Sequence, residues 1–373
     1  MRIALNAHLL SGSAGFRSAG IHRYIDQLLV HLPAAVPEGW RLTALVGAQA
    51  NPVVPGVEMR RASWNTESAL RRIAWEQALQ PWALRGFDGY HALAYAGPLI
   101  GAPATVVTVH DLSFVHAPER VPLMRRVYLR WLTGITCRRA RVVIGVSRAT
   151  AEDVRDTFGI PESRIVVAPN GVDLARFRPL PPSEVEAFRA AKGLPSRFWL
   201  FIGTLEPRKN LLTLLEAYAT LSSAERLPLV LAGGKGWDYE PIFDAVERLK
   251  LNDAVSFPGY LPQDDLPLWY NSAEAFVYPS VFEGFGMPVL EAMACGVPVA
   301  VSNASALPEV AERSGLCIPP TDGAAWANAL RRIGQDDDWR RGASEAGLNE
   351  AHRFTWTETA RQTAAAYIRA FNV

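Results

Sequence analysis

Tyr278-Pro-Ser-Val-Phe-Glu-Gly-Phe-Gly-Met-Pro-Val-Leu-Glu-Ala-Met-Ala-Cys-Gly-Val-Pro298 carries, in one run, a strand end, a glycine-containing loop and a helix start. A buried strand, Ala275–Tyr278, leads into the loop Glu283-Gly-Phe-Gly286. Pro288 suits the first turn of a helix, where a missing N–H costs nothing. That helix is expected over Pro288–Cys295, with the next strand over Val297–Val301. The exposed N–H groups of such a turn, with the helix dipole, favour a bound phosphate. Glu291 is expected in the first helical turn, close to that phosphate, and an ionised carboxylate that only accepts hydrogen bonds suits sugar hydroxyls. The competing reading makes Glu283 a solvated loop acid and Glu291 an acid favoured by the dipole at a helix start.

The same alternation extends in both directions. Upstream, strands are expected at Ile3–Ala7, Leu42–Val46, Thr105–Val109, Val142–Val146 and Ile165–Val167. Helices are expected between them at Ser18–Leu32, Thr66–Leu84, Pro122–Cys137 and Arg148–Phe158. Arg178-Pro-Leu-Pro-Pro182 reads as a proline-rich break inside a linker over 174–196. The pattern then restarts with strands at Trp199–Gly203, Leu229–Ala232 and Val255–Phe257, and helices at Leu211–Leu221, Tyr239–Leu249 and Asp264–Asn271. Strands spaced by helices imply parallel sheets covered on both faces. Two such series around one break imply an α/β protein of two doubly wound domains. Their ligands are expected beyond the carboxyl ends of the strands and in the cleft between the domains.

The chain has 373 residues, 49% apolar and 20% charged, which is globular composition. Its net charge of +1 argues against a polyanion binder, and no nucleic-acid partner is expected. The charge is unevenly spread. Residues 1–175 hold 19 Arg, no Lys and 13 acids, net +6, whereas residues 176–373 hold 19 bases and 24 acids, net −5. The three cysteines, Cys137, Cys295 and Cys317, indicate a reducing compartment, and no Cys/His cluster has metal-ligand spacing. The N-terminus turns polar by Ser11, unlike a signal peptide. Ala92 to Val109 lacks charge, but Gly97, Pro98, Gly101 and Pro103 break any helix there, so a loop and a strand are expected.

Three further segments carry candidate chemistry. Phe201-Ile-Gly-Thr-Leu-Glu-Pro-Arg-Lys-Asn210 ends a strand at Gly203 and is expected to open a helix with Arg208-Lys209. Cations there oppose the helix dipole, a conflict that a bound anion removes, and Arg with Lys suits a diphosphate. His110-Asp111 follows the strand Thr105–Val109, at its ligand-facing end, although a packed structural histidine fits equally. The stretch from Asn6 to Tyr24 is rich in small residues that let a backbone approach a ligand, but its Gly12, Gly15 and Gly20 do not match the dinucleotide fingerprint. Serine-nucleophile and Walker patterns are missing.

In this order Gly20-Ile-His-Arg-Tyr24, His110-Asp111, Val146-Ser147, Pro169-Asn-Gly-Val-Asp173, Gly203 to Asn210, Glu283 to Glu291 and Ala306-Leu-Pro-Glu-Val310 resemble the family-four retaining glycosyltransferases of GT-B fold, and within them bacterial mannosyltransferases of polysaccharide assembly. The resemblance implies two Rossmann-like domains facing across a cleft: an acceptor-side domain over 1–175, a nucleotide-sugar-binding domain over 176–353, and a helix over 354–373 that crosses back onto the first. It implies Glu291 on the ribose hydroxyls, Glu283 and His110 at the transferred sugar, and Arg208 with Lys209 on the diphosphate. Backbone groups at Gly20, Gly203, Phe285, Gly286 and Met287 would complete the donor site, with no metal and no cofactor beyond the donor. GDP-mannose is the first expectation for that donor, with other NDP-sugars open. The acceptor is expected to be a saccharide or lipid-linked saccharide of surface polysaccharide or glycolipid synthesis, and the location cytoplasmic, or peripheral on the inner membrane face. Many relatives have Gly where this chain has His22. A non-hydrolysing sugar-nucleotide epimerase, a nicotinamide-dependent dehydrogenase and a catalytically silent nucleotide-sugar-binding protein are the competing classes.

Arg120 to Arg148 holds eight arginines and no acid. Drawn as a helix, Met124, Tyr128, Trp131, Leu132 and Ile135 share one side, and Arg126, Arg130, Arg138 and Arg141 fall on an adjoining arc. Such a helix either lays its apolar side on the sheet or rests on an anionic membrane surface.

Overall fold

The computed structural model describes residues 1–10, 19–50, 52–66, 68–116 and 123–371. The chain divides into two compact units, Met1–Gly171 with Trp356–Val373, and Val172–Thr355. The first unit is built on β1 (Arg2–Asn6), β2 (Arg41–Val46), β3 (Val57–Arg61), β4 (Gly89–Ala92), β5 (Ala104–Val109), β6 (Val142–Gly145) and β7 (Ile165–Val167). The second is built on β8 (Trp199–Ile202), β9 (Leu229–Ala232), β10 (Val255–Gly259), β11 (Ala275–Tyr278), β12 (Val299–Ser302) and β13 (Leu316–Ile318). Strand order is β3-β2-β1-β4-β5-β6-β7 in one sheet and β10-β9-β8-β11-β12-β13 in the other. Every strand pair is parallel.

Both orders reverse beside their first strand, as in a Rossmann fold. Ligands of such sheets bind at the reversal, outside the carboxyl ends of the two strands that flank it. In the second unit those strands are β8 and β11, so the two loops that matter start at Gly203 and Pro279. The central strands are apolar along their length: Trp199, Leu200, Phe201, Phe276 and Val277 are fully buried. That follows from helices on both faces.

Several local expectations are corrected. The proline-rich break ends earlier than expected, because Pro182 opens a helix, Pro182–Lys192, closed by Gly193 in the left-handed conformation. The single helix expected over Thr66–Leu84 is two, Ala69–Ala78 and Gln80–Ala83, divided at Pro81, which cannot donate a helical hydrogen bond. The uncharged stretch from Ala92 is the end of β4, a loop and β5. No helix among the described residues is long and apolar enough to cross a membrane.

The Arg-rich helix runs Leu123–Arg139, and residues 120–122 lie outside the described residues. It does not lay its apolar side on the sheet as a whole. Leu132, Thr133, Thr136 and Cys137 are buried, but Met124 is 86% exposed and Trp131 51% exposed, with Leu123 and Val127 also open to solvent. The loop before β5 is tied to this helix and to Ala69–Ala78: Gly97 N–H donates to Thr136 Oγ1 at 3.4 Å, and Gln77 Nε2 donates to Gly97 O at 3.2 Å. Ile100 in that loop and Leu70 on the neighbouring helix are exposed as well.

Candidate active site

Two loops meet at the reversal of the second sheet. Past β8, the chain needs glycine on both sides of a close crossing. A Cβ at Gly233, whose φ is +151°, would stand 1.8 Å from Gly203 O. Leu205 N–H donates to Gly234 O at 2.9 Å and Gly236 N–H to Leu205 O at 2.9 Å, so Gly233–Gly236 grips the loop that carries the cations. Arg208 and Lys209 do not open the next helix. They form a single 3₁₀ turn, Pro207–Lys209, which Asn210 at φ +56° separates from helix Leu211–Ala219. Asn210 Nδ2 then donates to Pro279 O at 3.2 Å and Pro320 O at 2.7 Å, which ties the first loop to the second.

The turn aims both cations at the loop after β11. Lys209 Nζ donates to Glu283 Oε1 at 2.6 Å and to Tyr278 OH at 2.5 Å. Arg208 NH1 lies 2.9 Å from Glu283 Oε1 and donates to Phe282 O at 2.5 Å. On its other edge Arg208 Nε donates to Glu206 Oε1 at 2.9 Å, and NH2 is equally close to that oxygen. All three guanidinium nitrogens are thereby engaged. The side chains of Glu206, Arg208, Lys209 and Glu283 are all nearly buried. Two cations and two carboxylates sum to zero, which is how the acidic second half of the chain tolerates buried arginine and lysine.

Burial pushes the Lys209 ammonium down to about 8, and the Arg208 charge adds to this while Glu283 and Glu206 oppose it. Burial would raise Glu283, but Arg208 and Lys209 outweigh it and hold the carboxyl at about 2. Tyr278, stacked between Phe201 and Phe276, is driven well above its ordinary value by burial and by Glu283.

Gly286 begins helix Met287–Ala294 at φ +108°, where a Cβ would meet Leu307 Cδ2 at 2.8 Å. Phe285, just before it, is buried edge-on against Phe354. Glu291 is not in the first turn as expected. The helix starts at Met287, so Glu291 falls in the second turn, buried, with Tyr270 OH donating to its Oε2 at 2.9 Å.

In the first unit, Gly20 lies exposed in the opening turn of helix Ala19–His31, where a Cβ would meet nothing within 4 Å. His22 is half-buried two residues further on, and Ser11 to Ser18 lie outside the described residues. His110, directly after β5, is buried, with Nε2 2.8 Å from Leu93 O. A carbonyl only accepts, so Nε2 carries the proton and Nδ1 is left as an acceptor. Burial pushes this imidazole down to about 4, against the smaller pull of Leu93 O and Asp111, so it is neutral near pH 7. Among the described residues no group of three or more His, Cys, Asp or Glu could hold a metal ion.

Nothing in the sequence pattern assigns a role to Glu206, Tyr278 or Tyr270, whereas the glycines at 233–236 carry a visible signal, Gly233-Gly-Lys-Gly236 directly after a strand.

A family model for glycosyl transferases group 1 matches residues 184–350, and one for glycosyltransferase family 4 matches residues 19–176. The O-antigen chain mannosyltransferase B of Escherichia coli is 37% identical over 295 residues, which is 77% of this chain and 76% of that protein. The chain belongs to the family-four glycosyltransferases. The glycosyltransferase is also 30% identical over 271 residues to the serotype-specific mannosyltransferase WbdA of Escherichia coli, 69% of this chain but 32% of that longer protein. Among solved structures it resembles the sucrose-phosphate synthase of Thermosynechococcus elongatus, with a TM-score of 0.79 and 25% identity over 100% of this chain and 99% of the other. The glycosyltransferase thus has the GT-B fold, with the quartet of Glu206, Arg208, Lys209 and Glu283 at the sheet reversal of its second unit.

Proposed function

We propose that the enzyme moves mannose from GDP-mannose to a hydroxyl of a saccharide or lipid-linked saccharide, with retention at the anomeric carbon and without a metal, in surface polysaccharide synthesis. The observation that carries this reading is the pair of buried cations, Arg208 and Lys209, at the reversal of the second sheet. As the bond between the anomeric carbon and the donor phosphate breaks, negative charge grows on the diphosphate. Preorganised cations there act without reorganisation at the moment of reaction. The acceptor oxygen bonds to the anomeric carbon, and its proton passes to the departing diphosphate. Because Glu283 already occupies both cations, the incoming diphosphate exchanges with it, which frees that carboxylate for the transferred sugar. Glu291 holds the ribose hydroxyls, His110 offers Nδ1 to a sugar hydroxyl, and the backbone at Gly20, Gly203, Phe285, Gly286 and Met287 completes the cradle. Mannose and the polysaccharide role are supported by the likeness to the O-antigen chain mannosyltransferase B.

A thermal-shift panel of nucleotides and nucleotide-sugars tests the donor: saturating GDP-mannose should raise Tm by linkage, and a larger rise with a different NDP-sugar replaces it. Full turnover in EDTA with an α-configured product from an α-configured donor is expected. A strict Mg²⁺ or Mn²⁺ requirement, or inversion, overturns those parts. An epimerised nucleotide-sugar formed without acceptor would point to the epimerase instead.

The second part of the proposal is the membrane. Met124, Val127 and Trp131 stand open to solvent among Arg126, Arg130, Arg138 and Arg139, a pattern suited to insertion beside anionic headgroups. A lipid-linked acceptor makes such a location useful. Flotation with vesicles of phosphatidylglycerol and phosphatidylcholine should carry the enzyme, and less of it at high salt; no difference from phosphatidylcholine alone removes this part.

A further inference from the structure

One buried polar circuit in the first unit is not used by the chemistry above. Tyr367 OH, on helix Trp356–Phe371, lies 2.7 Å from His91 Nδ1. His91 Nε2 lies 2.8 Å from Thr108 Oγ1, and Thr108 Oγ1 lies 3.0 Å from Tyr24 OH. All four side chains are at most 1% exposed.

Burial pushes His91 down to about 3, so the ring is neutral, with one nitrogen donating and the other accepting. The circuit runs from the last helix at Tyr367 across β4 and β5 to helix Ala19–His31.

His110 sits at the open end of this arrangement. It lies two residues past Thr108, and its Nε2–H is held by Leu93 O, two residues past His91. The edge of Tyr24 meets its ring, with centroids 4.6 Å apart at 79°. Satisfied buried networks of this kind rigidify what they hold.

We propose that His91 and Tyr367 are positioning residues: by fixing Tyr24, the circuit orients the His110 ring, so the last helix sets the aim of Nδ1. This rests on the reading that His110 meets the transferred sugar. The test uses the full chain and the isosteric variant Tyr367→Phe, with Thr108→Val cutting the circuit at its middle should the first fail to fold. Turnover per folded enzyme, donor KM, Tm and the ¹⁵N NMR signals of the histidine rings are measured. Tyr367→Phe should lower kcat about tenfold, the scale on which an outer hydrogen-bond partner acts at metal sites, with donor KM unchanged and the His110 ring signals moved. In a His110→Ala background it should lower kcat no further. Unchanged kcat per folded enzyme, or effects that simply multiply in the double variant, overturns the proposal and leaves the circuit as scaffold. Wild-type turnover in His110→Ala alone instead defeats the underlying reading of His110.

Discussion

Raising the pH should move activity and stability in opposite directions, and both through Lys209. In the folded enzyme its ammonium titrates at about 8, against 10.5 for a free lysine, because burial and Arg208 disfavour the charge. On the proposed diphosphate role of Lys209, donor capture needs the charged form, and kcat/KM reports groups of the free enzyme. So kcat/KM for the donor should be flat to about pH 7.5, halve near pH 8, and fall about tenfold per unit beyond. For stability the sign reverses. Between about pH 8 and 10.5 the unfolded chain holds a proton at this position that the folded enzyme has released, so unfolding becomes harder as pH rises through that window. The shift corresponds to about 3 kcal/mol at most across the window. The assay pairs initial rates under limiting donor with urea unfolding, from pH 6.5 to 10.5, for the wild type and Lys209→Arg. The arginine stays charged throughout, so its profile should lose the basic limb, and the difference in unfolding free energy should grow in favour of the wild type with pH. A wild-type profile flat to pH 9.5, or a limb that survives in Lys209→Arg, would refute the assignment.

Arg208→Ala or Lys209→Ala should lower kcat about a hundredfold, or ~2.7 kcal/mol of transition-state stabilisation by analogy with oxyanion holes, and steady-state kinetics at saturating donor checks it. Glu283 is held at about 2 against 4.5 when free, so it contributes stability above about pH 4.5 that is lost as the pH falls towards 2. In Glu283→Gln that acid-side slope should shrink, as followed by Tm between pH 5 and 3. Gly233→Ala places a methyl 1.8 Å from Gly203 O, a contact that only backbone movement relieves. It should cost several kcal/mol, seen as a large fall in Tm and a weakened grip on the cation-bearing loop.

The periods of the sequence were enough for the architecture because both sheets are buried on two faces, and long apolar runs such as Trp199–Gly203 have no other place to be. Strands lacking that signal were missed. β4 is Gly89-Tyr-His-Ala92, with a glycine and a buried polar ring in a central strand, and β3 is a charged edge strand. The site was half legible. Arg208, Lys209 and Glu283 stood out by residue type, yet their mutual neutralisation did not. That depends on a 3₁₀ turn set by Pro207 and Asn210, and on a partner 74 positions away for Lys209. Glu206 drew no attention because its role exists only once the Arg208 side chain folds back onto it. The apolar side of the Arg-rich helix was visible in the pattern, but not which part of it would face water.

The placement of helix Trp356–Phe371 on β5 and β6 has a consequence for how the protein is made. A ribosome delivers β1 to β7 first, but the piece that covers their face emerges only after all of Val172–Thr355. Domains generally fold as they appear. Here the second unit can finish before the first, whose His91 meets Tyr367 only once the last helix has been made. A recombinant fragment ending at Gly171 would lack that helix and that contact.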